Sequence, residues 1–153
     1  MTIVGVDYST KAVHLAWNLG GWQWPHYVIS DDLGEFLEAL WYAFPDSHDD
    51  GHIFIERPWA RYNAWTGMQM QRIATIVDVV ATQRGYQTHW VAIAQWRSAI
   101  FGKGKYPTKI AKAKSIDIAL ETIPYFNGKK MDDNTADSIC LALYGQSRLA
   151  EQE

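Results

Sequence analysis

The period of apolar and polar positions changes along the chain, and each change predicts an element. Residues 2–8 (TIVGVDY) are a short, β-branched apolar run, as a central buried strand requires. Residues 11–18 alternate, with Val13, Leu15 and Trp17 on one face, and Asn18-Leu19-Gly20-Gly21 is turn chemistry. Residues 22–29 read as a third strand, with Pro25 marking it as an edge or a bulge. Three consecutive strands joined by tight turns make an antiparallel meander.

The period then becomes helical. Asp32, with Glu35 three residues on, resembles an acidic capping box, and Leu33, Phe36, Leu37, Leu40 and Phe44 follow at helix spacing. After a polar loop from Pro45 to Gly51, HIFIE (52–56) is a fourth strand stopped by Pro58. A long helix fits 64–84, with Met68, Ile73, Ile76, Val77 and Val80 inward and Gly85 as its stop. Residues 87–93 read as a fifth strand, followed by a turn of helix at 95–101 and a glycine- and lysine-rich loop at 102–107. Thr108 caps a helix to about 122, which Pro124 ends, and a last helix spans about 133–148. The order βββ-α-β-α-β-α-α gives one α/β domain. Its mixed five-stranded sheet has three antiparallel strands and then two parallel ones, with helices on both faces.

Composition adds constraints. The 153 residues are 48% hydrophobic and 20% charged, an ordinary globular balance with room for one sizeable core. The single Cys140 excludes an internal disulfide and sits in an apolar helical stripe, which reads as a buried thiol. No signal-peptide pattern and no membrane-spanning run is present, so a cytoplasmic protein without a membrane partner is expected. The net charge of −3 does not advertise a polyanion partner, but it hides an asymmetry. Between Arg97 and Lys114 stand Arg97, Lys103, Lys105, Lys109, Lys112 and Lys114, with no acid among them. Such a run is either a solvated face or a phosphate-binding edge.

Most acids lie in caps and loops, and a few do not. Asp7 sits in the most apolar strand, where an uncompensated carboxylate is costly. Glu56 ends HIFIE after a hydrophobic run, and Asp137 adjoins the apolar stripe of the last helix, one turn after Asp133. Brought together at one edge of the sheet, these carboxylates have the hard oxygen donors that magnesium or manganese prefers. Two such ions roughly 4 Å apart can assist phosphodiester cleavage. Read one at a time, each acid is equally a surface group or a hydrogen-bonded buried one.

At these residues the chain resembles the RuvC-type Holliday-junction resolvases and their mitochondrial and poxviral relatives, through nearly its whole length. GVDYST around Asp7 resembles the family's opening strand, IFIERPW around Glu56 its second acidic strand, WRSAIFGKGKYPTK its glycine–lysine loop, and KKMDDNTADSICLAL its terminal helix. The resemblance implies a ribonuclease-H-like fold and a homodimeric endonuclease. Such an enzyme uses Mg2+ or Mn2+, two ions per site, to nick a four-way junction symmetrically. It implies Asp7, Glu56 and Asp137 as metal ligands. Several family members place the fourth ligand where Asn134 stands; Asp133, a carboxylate on the same helix face as Asp137, is chemically the better ligand. Lys109 matches the lysine that opens the family's helix, where it would stabilise charge on the scissile phosphate. The loop is one residue longer here, which brings Lys105 into play. Trp59 matches an aromatic residue that stacks into the opened junction, flanked by Arg57 and Arg61; otherwise it is core or interface. Arg97, Lys103, Lys105, Lys109 and Lys112 complete the expected DNA contacts. Gly67 and the helix around it match the family's long helix, with Met68, Met70, Ile73 and Val77 facing either a second subunit or the core.

Two other functions remain open at the level of sequence. One is a monomeric ribonuclease-H-like nuclease acting on RNA–DNA hybrids or flaps; the other is a catalytically inactive module that binds branched DNA. The fold alone does not choose among them.

Overall fold

The computed structural model describes residues 1–47, 49–58, 63–126 and 130–153, and in it the apolar run Thr2–Tyr8 is the central strand β1. β2 (Ala12–Asn18) returns antiparallel to it, with Asp7 opposite His14 and Val4 opposite Trp17. The expected third strand is two short pieces, β3 (Trp22–Gln23) and β4 (His26–Val28), both antiparallel to β2. Pro25 falls in the gap: it has no N–H for the ladder, and its carbonyl accepts from the Leu15 amide at 3.0 Å. The sheet therefore has six strands among the described residues rather than five.

Helix α1 (Leu33–Ala43) begins at Asp32, whose carboxylate accepts from the Glu35 amide. β5 (Gly51–Glu56) and β6 (Tyr86–Val91) run parallel to β1, giving the order β3-β2-β1-β5-β6 with β4 beside β2. Between them lies α2 (Ala64–Gln83), capped by Asn63 and closed by Gly85, whose φ of 87° an L side chain rarely adopts. Then follow α3 (Ile93–Phe101), α4 (Thr108–Thr122) and α5 (Asp133–Ala150). Thr108 is already inside α4, and Pro107 occupies the cap position instead.

Alternation in β1 divides the core. Val4, Val6 and Tyr8 join Leu15, Leu40, Ile53, Ile55 and Val77 in a layer between the sheet and α1 and α2. On the other face, α5 lies over β1, β2 and β5 and is flanked by α3 and α4. Each large aliphatic side chain taken fully from water contributes about 1.5–3 kcal/mol. The α5 face admits the helix backbone unusually closely. A Cβ on Gly5 would overlap the Ser138 carbonyl and the Ala142 amide, and one on Gly145 would overlap the Phe54 ring. Missing side chains at both places let α5 rest on β1, and this fixes where its first turn lies.

The long helix corrects one expectation. Met70, Ile73 and Val77 are buried in the α2-side core, so they do not face a second subunit, whereas Met68 is 63% exposed. Met68 and Met70 are two positions apart, a turn of about 200° around a helix, and the core takes the Met70 side.

Candidate active site

Two parallel strands end side by side at one edge of the sheet. The register pairs Val6 with Ile55, and one further step sets Asp7 level with Glu56. Both side chains point to the α5 face: Asp7 follows Gly5 by two residues, and Glu56 follows Phe54 by two. Asp7 is only 6% exposed. The first turns of α5 stand above this edge and bring Asp133 and Asp137 to it, one turn apart on one side of the helix.

The electrostatics show the convergence. Burial raises the Asp7 carboxyl well above the usual carboxylate range, and the charges of Glu56, Asp137 and Asp133 raise it further. Asp137 is pushed up to about 7, first by burial, against a hydrogen bond from Ser115, and then by Glu56 and Asp133. Glu56 is also raised by burial, offset by a hydrogen bond from Trp96 and by the Arg97 guanidinium. Burial, and at Asp7 and Asp137 the neighbouring carboxylates, thus outweigh the donors that reach these acids, which is unfavourable for folding and is common at functional sites.

Among the described residues no three His, Cys, Asp or Glu side chains form a ready-made cage for an ion. Glu56 Oε1 accepts from the Trp96 indole at 2.6 Å, Asp137 accepts from Ser115, and Asp133 pairs with Lys112 at 3.3 Å, so these carboxylates rest on protein donors. The donor set is nonetheless the chemistry a hard divalent cation takes: carboxylate oxygens, mutually repelling and partly desolvated. Residues Asp7, Glu56, Asp137 and Asp133 fit such an ion.

The three neighbouring polar residues at the start of α5 separate cleanly. Asp132 is the N-cap, its carboxylate accepting from the Asn134 amide. Asp133 acts electrostatically on Asp7 and Asp137, whereas on His14 both act, Asp132 more strongly than Asp133. Asn134 contributes no charge.

The basic residues divide as well. Arg97 lies against the site: its charge favours ionised Glu56 and Asp137, its guanidinium is 5.6 Å from the Trp96 ring, and its buried Nε makes no hydrogen bond among the described residues. Lys112 is paired with Asp133. Lys103 and Lys105 are exposed in the 102–107 loop, Lys109 is exposed on the first turn of α4, and Lys114 stands 5.5 Å from the Tyr106 ring. Arg57 is exposed beside Glu56, its amide bonded to the Val91 carbonyl. Trp59 and Arg61 lie outside the described residues.

Several site neighbours were not anticipated from the sequence. Tyr8 donates its hydroxyl to the Glu56 carbonyl at 2.9 Å, and Trp96 holds the Glu56 side chain. His14, directly across from Asp7, is 6% exposed, stacks on His26 at 5.4 Å and lies 3.4 Å from the Thr135 hydroxyl. A hairpin turning at residues 9–11 pairs position 7 with position 14, so that register was available in the sequence. Nothing in the sequence placed Trp96 against Glu56.

No protein-family model matches the chain, and no curated protein matches it by sequence. Solved structures do. Thermus thermophilus RuvC superposes with a TM-score of 0.69 at 13% identity, over 98% of this chain and 97% of that one. The same protein in complex with Holliday junction substrate gives 0.70 at 14%, over 98% and 96%. The fowlpox virus resolvase with substrate Holliday junction DNA gives 0.59 at 17%, over 97% and 99%. The chain has the ribonuclease-H-like fold of these resolvases, over essentially its full length.

Proposed function

We propose that this chain is a divalent-metal-dependent endonuclease that resolves four-way DNA junctions as a homodimer. One observation carries the nuclease reading: carboxylates from β1, β5 and α5 meet at the ends of adjacent parallel strands, where burial first, and at Asp7 and Asp137 the neighbouring acids as well, raises them above their ordinary range. The choice of substrate is supported by the two similar structures that contain junction DNA.

In this reading Asp7, Glu56, Asp137 and Asp133 hold magnesium or manganese, which supplies an activated water and neutralises charge on the cleaved phosphate. The protein's own groups do the rest. Asp7 and Glu56, on two hydrogen-bonded strands, fix the spacing of the carboxylates; α5, seated on Gly5, fixes their height. Arg97, facing Glu56 and Asp137, is placed to draw a phosphate toward the acids, and Lys112 would exchange Asp133 for DNA. Lys109, with Lys105 as the alternative, would stabilise developing charge on the phosphate oxygens. Lys103, Arg57 and Arg61 would contact the backbone of the arms, and Trp59 would stack at the junction centre.

A two-fold junction calls for two sites related by a dyad. The exposed face of α2 suits that contact: Trp65 is 69% exposed and Met68 63%, an unusual outlay of apolar surface on a single helix. The test is a panel of four-way junctions, flaps, RNA–DNA hybrids and linear duplexes, each incubated with Mg2+, with Mn2+ and with chelator. Metal-dependent cutting confined to the junction supports the proposal. Preference for hybrids or flaps, or metal-independent binding without cutting, rejects it.

A further inference from the structure

Glu56 is held at two points. Its carbonyl receives the Tyr8 hydroxyl, and its Oε1 receives the indole N–H of Trp96 at 2.6 Å, the short end for a charge-assisted bond. Trp96 is the largest fully buried side chain among the described residues, at 0% exposure, and its N–H would be costly to leave unpaired. The indole thus fixes both the rotamer of Glu56 and which oxygen is committed.

The indole is itself held from the far side. Phe101 meets it edge-on at 5.4 Å and 72°, and Tyr106 meets Phe101 edge-on at 5.3 Å and 80°. The Tyr106 hydroxyl donates toward the carbonyls of Phe101 and Gly102, at 3.2 and 2.7 Å, and Lys114 lies over its ring. Three rings therefore run from the glycine–lysine loop to the carboxylate at the end of β5. Gly102 and Gly104 have φ of 94° and 152°, and they let the chain fold back so that Tyr106 meets Phe101.

We propose that Trp96 is a positioning residue for Glu56, committing Oε1 to the indole so that Oε2 is the oxygen offered to the site, with Phe101 and Tyr106 bracing the indole from the loop. This rests on the metal-dependent reading above. Bonds of this kind, to an oxygen of a ligating carboxylate, typically change metal affinity or activity by about 10–100-fold when removed. A merely structural tryptophan that happens to find an acceptor predicts a stability loss and unchanged metal binding.

The test uses the whole chain. Trp96→Phe keeps an aromatic ring at the position, although a smaller one, while removing the N–H. Mn2+ binding is measured by the electron paramagnetic resonance signal of the free ion, beside thermal melting. The expected result is affinity weakened about tenfold or more, at a melting temperature that still shows a folded protein. Equal Mn2+ affinity in the two proteins overturns the inference. Absence of Mn2+ binding in the parent protein would instead reject the metal-dependent reading itself.

A second measurement does not depend on that variant folding. The chain has eight tryptophans, so eight indole 15N–1H signals. The Trp96 signal should be the one displaced most by Glu56→Gln, and in the parent protein Mg2+ should move it with the saturation curve of metal binding. An indole spectrum indifferent to both overturns the inference.

Discussion

Asp137→Asn should stabilise the metal-free protein at alkaline pH and much less in acid. The Asp137 carboxyl titrates at about 7 in the fold, against 3.8 for a free side chain, because burial and the charges of Glu56 and Asp133 outweigh the Ser115 hydrogen bond and Arg97. Between those two values the folded chain binds more protons than the unfolded one, so stability falls as pH rises. Below about 4 both states are protonated and the cost is absent; above about 7 both are ionised and it is complete. A displacement of about three pH units, at roughly 1.4 kcal/mol each, sets a ceiling of about 4 kcal/mol, which Asp7 and Glu56 share. Asparagine keeps the shape and still accepts from Ser115. With about 2–4 kcal/mol recovered, the melting temperature at pH 8 should rise by roughly 5–15 °C. The assay is circular-dichroism melting of both proteins in chelator at pH 4.5 and pH 8. Asp133→Asn is the control: that group is a third exposed and paired with Lys112, and its removal should change stability by at most about 1 kcal/mol. No gain at pH 8, or an equal gain at pH 4.5, refutes the claim that burial and the neighbouring acids hold the Asp137 carboxyl above its ordinary range.

Other predictions follow from the same geometry. Asp7→Asn should abolish junction cleavage, by at least about a hundredfold, while gel-shift affinity for the junction holds or improves as phosphate repulsion falls; near-normal cutting would remove Asp7 from the metal site. Gly5→Ala should destabilise by about 3 kcal/mol or more in urea unfolding, because the obstructing atoms belong to the α5 backbone and cannot turn aside. Gly67→Ala, with open space around its Cβ, should instead stabilise by about 0.5–1 kcal/mol. Paired Trp65→Ala and Met68→Ala should leave melting nearly unchanged, yet give a 17.5 kDa monomer by sedimentation at concentrations where the parent is a dimer.

Much of the fold was legible because alternation and helical spacing are local. The strand at 2–8, the helix at 64–83 and the cap at Asp32 each follow from a few neighbouring residues, and so does the break at Pro25, although the division into two strands needed the ladder. Met68 shows how such a reading goes astray. Counted from Ile73, Val77 and Val80, the inward position is 70, but a methionine two residues earlier also suited an apolar list. At the site, Asp7 and Glu56 stood out as acids in apolar strands, and Asp137 as an acid beside an apolar stripe. What the sequence withheld was tertiary: the indole of Trp96, forty residues from Glu56, meets its carboxylate only because α3 folds back over the end of β5. Arg97 suggested a DNA contact by its place in a basic run, and its position against the acids themselves comes only from the fold.

Two metal-dependent sites acting on one branched substrate would leave a characteristic pattern of nicks. The most direct measurement is cleavage of a four-way junction with a fixed, non-migrating core, each of its four strands end-labelled in turn. Mg2+- or Mn2+-dependent nicks are expected in one opposing pair of strands, at positions related by two-fold symmetry and yielding two nicked duplexes that ligase can seal. Nicks in a single strand, nicks scattered over all four without symmetry, or cutting that persists in chelator would contradict the proposal.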